Sequence, residues 1–432
     1  MQCPHQPDRS QLFGDSLPRA LVGKRKPRRA DALRGYCRYG NEIDGMPRAW
    51  SFMSYAFRPF FLLTGLFAIV VISTWLMALH GTGLVSGPAN MLYWHGHEMV
   101  VGFAMAAVAG FVLTAVATWT DRPPLRGKLL GVLVVSWLFG RLTMMATTLL
   151  PYWLVASVDT IFPFLLVLLV GREVVGGSSR RNYPIVGIIL VLAVLNLLYH
   201  LGVMRILPGM DRLALYFLIH LLLLMITVIA GRIIPNFTAN WLRARGDERL
   251  PENHPLTDGI AVAATIATGV SVSLTPFGSV TGLFAMVAAL SHAVRLARWR
   301  GLATRSEPLL FVLHVAYLWL PVGYALTALA AFGLIFPATA ALHALTMGAI
   351  GTMILAVTSR VALAHTGRPL HAPRLIVFSY AILSAAVLAR VLSPLNAGLY
   401  VALIDLSALG WIVTFGIFTA VYWPVLTRRR VD

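Results

Sequence analysis

The chain has 432 residues, of which 58% are hydrophobic and 12% charged, against about 25% charged in soluble domains. That balance excludes an ordinary soluble domain. Basic residues outnumber acidic ones by 35 to 17, but in a membrane chain the excess marks cytoplasmic loops rather than a nucleic-acid partner, and none is expected.

Residues 1–56 contain KRKPRR (Lys24 to Arg29), scattered Pro and Gly, and no long apolar run. The segment reads as a disordered basic arm, or in part as a mis-assigned start, since Met46 and Met53 precede the first apolar stretch. No signal-peptide pattern is visible in it. The two cysteines, Cys3 and Cys37, both lie here. With no CxxC and no CxxCH, iron–sulfur ligation, zinc ribbons and covalently attached haem are excluded.

From Phe57 to the C-terminus the chain reads as one membrane domain, 57–432. Apolar runs long enough to cross a core of ~30 Å follow one another. They fall near 57–79, 91–118, 128–149, 152–171, 184–203, 211–235, 257–275, 278–298, 309–333, 338–359, 373–393 and 398–423. The expected fold is all-α and polytopic, with twelve spans. One alternate set of connections carries RPPLRGK, GREVVGGSSRR, RARGDER, RLARWRGLATR and SRVALAHTGRPLHAPR, and TRRR follows the last span. Basic residues concentrate on that set, which places it and both termini on the cytoplasmic side.

Ionisable groups inside spans are costly and are read first as functional or paired. Arg141 in span three and Asp159 in span four lie at matching depth and are expected to pair. Arg390 and Asp405 invite the same reading. His95 and His97 in span two, His220 in span six and His343 in span ten are candidate metal or haem ligands, with His314 in span nine a further one. On a regular helix, at ~100° per residue, His95 and His97 point about 200° apart, so they serve different neighbours. His97 is slightly favoured as the partner of His343. Glu98 suits a supporting carboxylate that fixes an imidazole tautomer. Met99 and Met347 each follow a histidine by one turn, where a thioether either packs or ligates.

Spans two and ten echo each other. His97 precedes Gly102 by five residues and Thr120 of TDRP by twenty-three, and His343 stands in the same relation to Gly348 and Thr366 of TGRP. RIIPNFT in span six resembles RVALAHT in span ten. Three parallel spans spaced four apart suggest three four-helix repeats around a common centre.

FRPFFLLTGLFA (57–68), WHGHEM (94–99), AGFVLTAVATWTDRPPLRG (109–127), GRIIPNFT (231–238) and HALTMGAIGTMILAVTSRVALAHTGR (343–368) resemble the NnrS family. Ala117–Thr118 departs from the Pro–Asn expected before Trp119. The resemblance implies a polytopic bacterial inner-membrane protein of denitrification and nitric-oxide stress, containing haem and copper. It implies haem b held non-covalently and nitric oxide as a ligand, without naming an electron-transfer partner or a reaction. The alternatives are a membrane oxidoreductase acting on nitric oxide and a twelve-span transporter.

Overall fold

A computed structural model describes residues 51–82, 91–276 and 278–431. Most of the basic arm, with both cysteines, lies outside the described residues. Every element among the described residues is helical, and twelve helices are long and apolar enough to cross a membrane. They are Phe57–Leu79, Met91–Thr120, Gly127–Met145, Tyr152–Gly176, Arg180–Val203, Met210–Arg243, Pro255–Leu274, Ser279–Arg298, Pro308–Ala331, Ala338–His365, Arg374–Leu395 and Ala397–Thr427, spans one to twelve. Each coincides with one of the twelve apolar runs in the sequence.

Consecutive spans pack against each other, and span twelve packs back on span one. The sequence chooses which helices are most deeply buried. Spans two and ten are 78% and 72% buried over their most apolar stretch, and spans nine and six are 67% and 56% buried, against 39–44% for the other eight. Small residues permit this burial: in GFAMAAVAG of span two and GAIGTM of span ten the glycines let neighbouring aromatic rings lie directly against the backbone.

Spans two and ten also share a backbone irregularity. Each is α-helical at its start and then becomes π-helical, over Glu98–Ala104 and Ala344–Gly351 respectively. In both, the π segment begins directly after the histidine that the sequence echo aligns, His97 or His343. A π turn releases backbone groups from the i−4 ladder and often marks a functional position. One released group is accounted for: the Gly102 carbonyl accepts the indole N–H of Trp137 at 3.0 Å.

The inner half of spans two, six and ten bounds an apolar cavity of about 100 Å³, lined among others by Ala104, Ala107, Met225, Ile229, Ile350 and Met353. The three spans that carry His95, His97, His220 and His343 therefore meet around one apolar space.

Candidate functional site

The polar side chains of the outer half form two groups around span two, one on each side of it. His95 and His97 belong to the short α-helical opening Met91–His97, so they face away from each other.

His97 points to spans four and five and is fully sealed from solvent. Its Nδ1 lies 2.8 Å from Glu98 Oε1 and its Nε2 2.8 Å from Asn196 Oδ1. The amide orientation of Asn196 follows from its other bond, in which Nδ2 donates to Asp159 Oδ2 at 2.9 Å. Both ring nitrogens of His97 thus face acceptors, and the ring that satisfies both carries two protons. Tyr199 stacks on it at 4.4 Å between centroids. His200 Nε2 donates to Asp159 Oδ2 at 2.9 Å, and its Nδ1 accepts from the Tyr152 hydroxyl at 3.0 Å. Arg141 bridges the two carboxylates, donating to Glu98 Oε1 at 2.5 Å and to Asp159 Oδ1. Two carboxylates therefore meet two cations, Arg141 and His97, which is how buried charge becomes tolerable. Glycine makes room for it. A Cβ on Gly102 would lie 2.3 Å from the Phe67 ring and 3.0 Å from Arg141 Nη1, and one on Gly140 would lie 3.0 Å from Asp159 Oδ1.

His95 points the other way. Its ring stacks on Trp75 of span one at 4.7 Å, and its Nδ1 is buried with no hydrogen-bond partner. His343 is half-buried, and both it and His95 lie within electrostatic reach of Arg390 and of each other. The His343 Nδ1–H donates to the Thr339 carbonyl at 2.8 Å, which leaves Nε2 as the lone pair. The same device recurs at His220, whose Nδ1–H donates to the Tyr216 carbonyl at 2.9 Å while Nε2 is buried without a partner. His220 faces a second apolar pocket that Thr265 and Gly269 also line. These three lone pairs stand on spans two, ten and six.

His314 differs. Its Nδ1 lies 3.2 Å from the Leu310 carbonyl and its Nε2 3.2 Å from the Thr238 hydroxyl, so both nitrogens are engaged. Met347 is buried, and its sulfur accepts from Ser407 Oγ at 3.6 Å, towards span twelve. Met99 is half-buried against the core. Glu98 supports His97 rather than His95. Among the described residues Arg390 and Asp405 do not pair: Arg390 donates to Ser393 Oγ at 3.2 Å, and Asp405 meets His80 Nε2 at 2.9 Å. Each is instead taken by a nearer partner, Asp405 by the end of span one and Arg390 by the end of its own helix.

A third polar group lies nearer the opposite ends of the spans, on spans seven to nine. Asp258 accepts from Arg295 Nε at 2.6 Å, and Arg295 Nη1 donates to the Tyr317 hydroxyl at 2.7 Å. Tyr317 in turn donates to His292 Nδ1 at 2.7 Å, and His292 Nε2 donates to Thr265 Oγ1 at 3.0 Å. The Thr265 hydroxyl proton is committed to the Ala261 carbonyl at 2.7 Å, so the direction of every bond in this chain is set.

Sequence reasoning did not single out Asn196, His200, Tyr152 or Tyr317 as site residues. One signal was present for the first two: Asn196 and His200 stand four apart on one face of an otherwise apolar span.

Residues 51–430 match the model of one protein family, described as NnrS protein, and the chain belongs to that family. No functionally curated protein matches the chain. One solved structure, described as a heme-copper terminal oxidase dimer, superposes with a TM-score of 0.58 over 88% of this chain and 85% of that one, at 13% sequence identity. At that identity the likeness is one of fold.

Proposed function

We propose that this NnrS-family chain holds haem b non-covalently, together with copper, in the bacterial inner membrane, and acts in the response to nitric oxide or in denitrification. Both termini lie on the cytoplasmic side in this reading. The observation that carries it is the set of uncommitted imidazole nitrogens. An unpaired buried polar atom costs roughly 1–3 kcal/mol, yet His95 Nδ1 and His220 Nε2 are both left without a partner. A metal or haem iron is the ligand that a neutral imidazole lone pair takes up most readily. His95 and His343, on facing central spans, are the favoured pair. His220 is a separate candidate, and His314, with both nitrogens engaged, is the weakest of the four.

Haem held there would supply the metal chemistry that binds nitric oxide. The chain's own contribution is orientation: the Thr339 and Tyr216 carbonyls fix the tautomers of His343 and His220, and Trp75 holds the plane of His95. Nitric oxide is apolar, and the cavity between spans two, six and ten offers it an apolar space on the same three helices that carry these histidines.

The test is haem and metal analysis of the purified protein, with an optical spectrum before and after nitric oxide. The reading expects a haem band that shifts with the gas and is lost in His95→Ala or His343→Ala. It falls if haem survives the single removal of each of His95, His220 and His343.

A second reading, an oxidoreductase acting on nitric oxide, is favoured by the ordered chain from Arg295 through Tyr317 and His292 to Thr265. Reduction of nitric oxide consumes protons, and this chain ends at the pocket that His220 faces. Turnover with a reductant separates the two readings.

A further inference from the structure

The buried cluster on the far side of span two carries its own metal chemistry. His97 Nε2, His200 Nε2 and an Asp159 carboxylate oxygen all lie within 4.8 Å of one another, and all three residues are sealed from solvent. The nitrogens are 3.5 Å and 2.9 Å from Asp159 Oδ2. Ligand atoms bound at ~2.0–2.2 Å around one tetrahedral ion stand about 3.3–3.6 Å apart, so only small adjustments separate this arrangement from a filled site.

Each donor is also held from behind. Glu98 takes the Nδ1–H of His97 at 2.8 Å, the Tyr152 hydroxyl engages Nδ1 of His200 at 3.0 Å, and Arg141 occupies Asp159 Oδ1, leaving Oδ2 to face both rings. Supporting bonds of this kind orient ligating imidazoles and carboxylates in metal sites. Asn196 Oδ1, 2.8 Å from His97 Nε2, adds a fourth donor atom, an oxygen, on the same side.

We propose that His97, His200 and Asp159 form a copper site distinct from the His95–His343 pair. The donor set contains two imidazoles and oxygen but no sulfur, which suits copper or zinc, and among first-row divalent ions copper binds such a set most tightly. Binding would displace the Nε2 proton of His97, whose charge with that of Arg141 otherwise balances Glu98 and Asp159, so the ion takes over the place of that positive charge in a region where net charge is costly. This inference rests on the metal-binding reading above, but on different residues from those proposed to hold haem.

The experiment is copper reconstitution of the full-length protein in detergent, after stripping with a chelator, followed by copper and haem quantification. One tightly held copper per chain is expected. His200→Gln and Asp159→Asn should lose it, and Tyr152→Phe, which removes only a supporting bond, should weaken it about 10–100-fold. All three should keep haem, and His343→Ala should show the reverse pattern. Copper retained by folded, haem-replete His200→Gln or Asp159→Asn protein overturns the proposal, and so does a wild-type protein that takes up no copper. Because a variant in this cluster can fail to fold, copper anomalous scattering from the unmodified protein gives an independent arm. A peak between His97, His200 and Asp159 supports the site even if haem is absent, and a peak elsewhere overturns it even if haem is present.

Discussion

Arg141 and Asp159 meet directly across spans three and four, and both side chains are withdrawn from solvent. The contact joins two antiparallel helices at one depth, and it is the hub to which His97, His200, Glu98 and Asn196 attach.

Removing one partner of this pair should be far worse than removing both. Asp159→Leu leaves Arg141 and His97 facing a single carboxylate, and breaking a buried pair in this way costs roughly 3–5 kcal/mol. Thermal unfolding in detergent should show Asp159→Leu and Arg141→Met each strongly destabilised, with the double variant less destabilised than their sum. Additive losses would mean that the two charges are not coupled.

Glycine at position 102 should be required for packing. A Cβ there would lie 2.3 Å from Phe67, so Gly102→Leu must push apart spans one and two and displace Arg141. Overpacking of this kind costs about 1–3 kcal/mol. Gly131, whose Cβ would meet nothing within 4 Å, is the control: Gly131→Ala should be neutral or slightly stabilising in the same unfolding assay.

Filling the central cavity should slow ligand entry without removing any ligand-binding residue. Ala107→Trp places an indole in the space between spans two, six and ten. Flash photolysis of the nitrosyl form should then show slower rebinding from solvent at unchanged haem content. Equal rates in wild type and variant would exclude this route.

The connection after span six should loosen in acid. Asp247 is held below the usual carboxylate range, first by its hydrogen bond from Arg300 Nη1 at 2.9 Å. A lowered carboxylate contributes stability above its unfolded value and loses it as pH falls through the folded value. Protection from hydrogen exchange in residues 244–254, relative to the intrinsic rate at each pH, should therefore fall as pH drops below about 4, and Arg300→Gln should remove that dependence. The pair is partly open to solvent, so the effect should also fade at high salt.

The alternating basic loops make a topological prediction. Reporter fusions after Gly83 and after Gly177 should report the outer and cytoplasmic faces respectively. The opposite pattern would reverse every inside–outside assignment made above.

Length, apolar runs and the spacing of basic loops were enough to read twelve spans from the sequence, because hydropathy is a local property that needs no knowledge of neighbours. The matched depths of Arg141 and Asp159, and the opposed directions of His95 and His97, were also legible, since rise and rotation per residue are fixed in an α-helix. The identity of each partner was not. Glu98 lies about 60° from His95 on a regular helix, yet it bonds His97, because Arg141 of span three and the π turn that begins at Glu98 draw its carboxylate to the other side. Nothing local in the sequence marks that turn. Tertiary packing alone decided that Asn196 takes the Nε2 side of the His97 ring opposite Glu98, while His95, His220 and His343 keep a nitrogen lone pair uncommitted. A lone pair is left over only when every helix around it has been placed, and that depends on the whole bundle rather than on any one span.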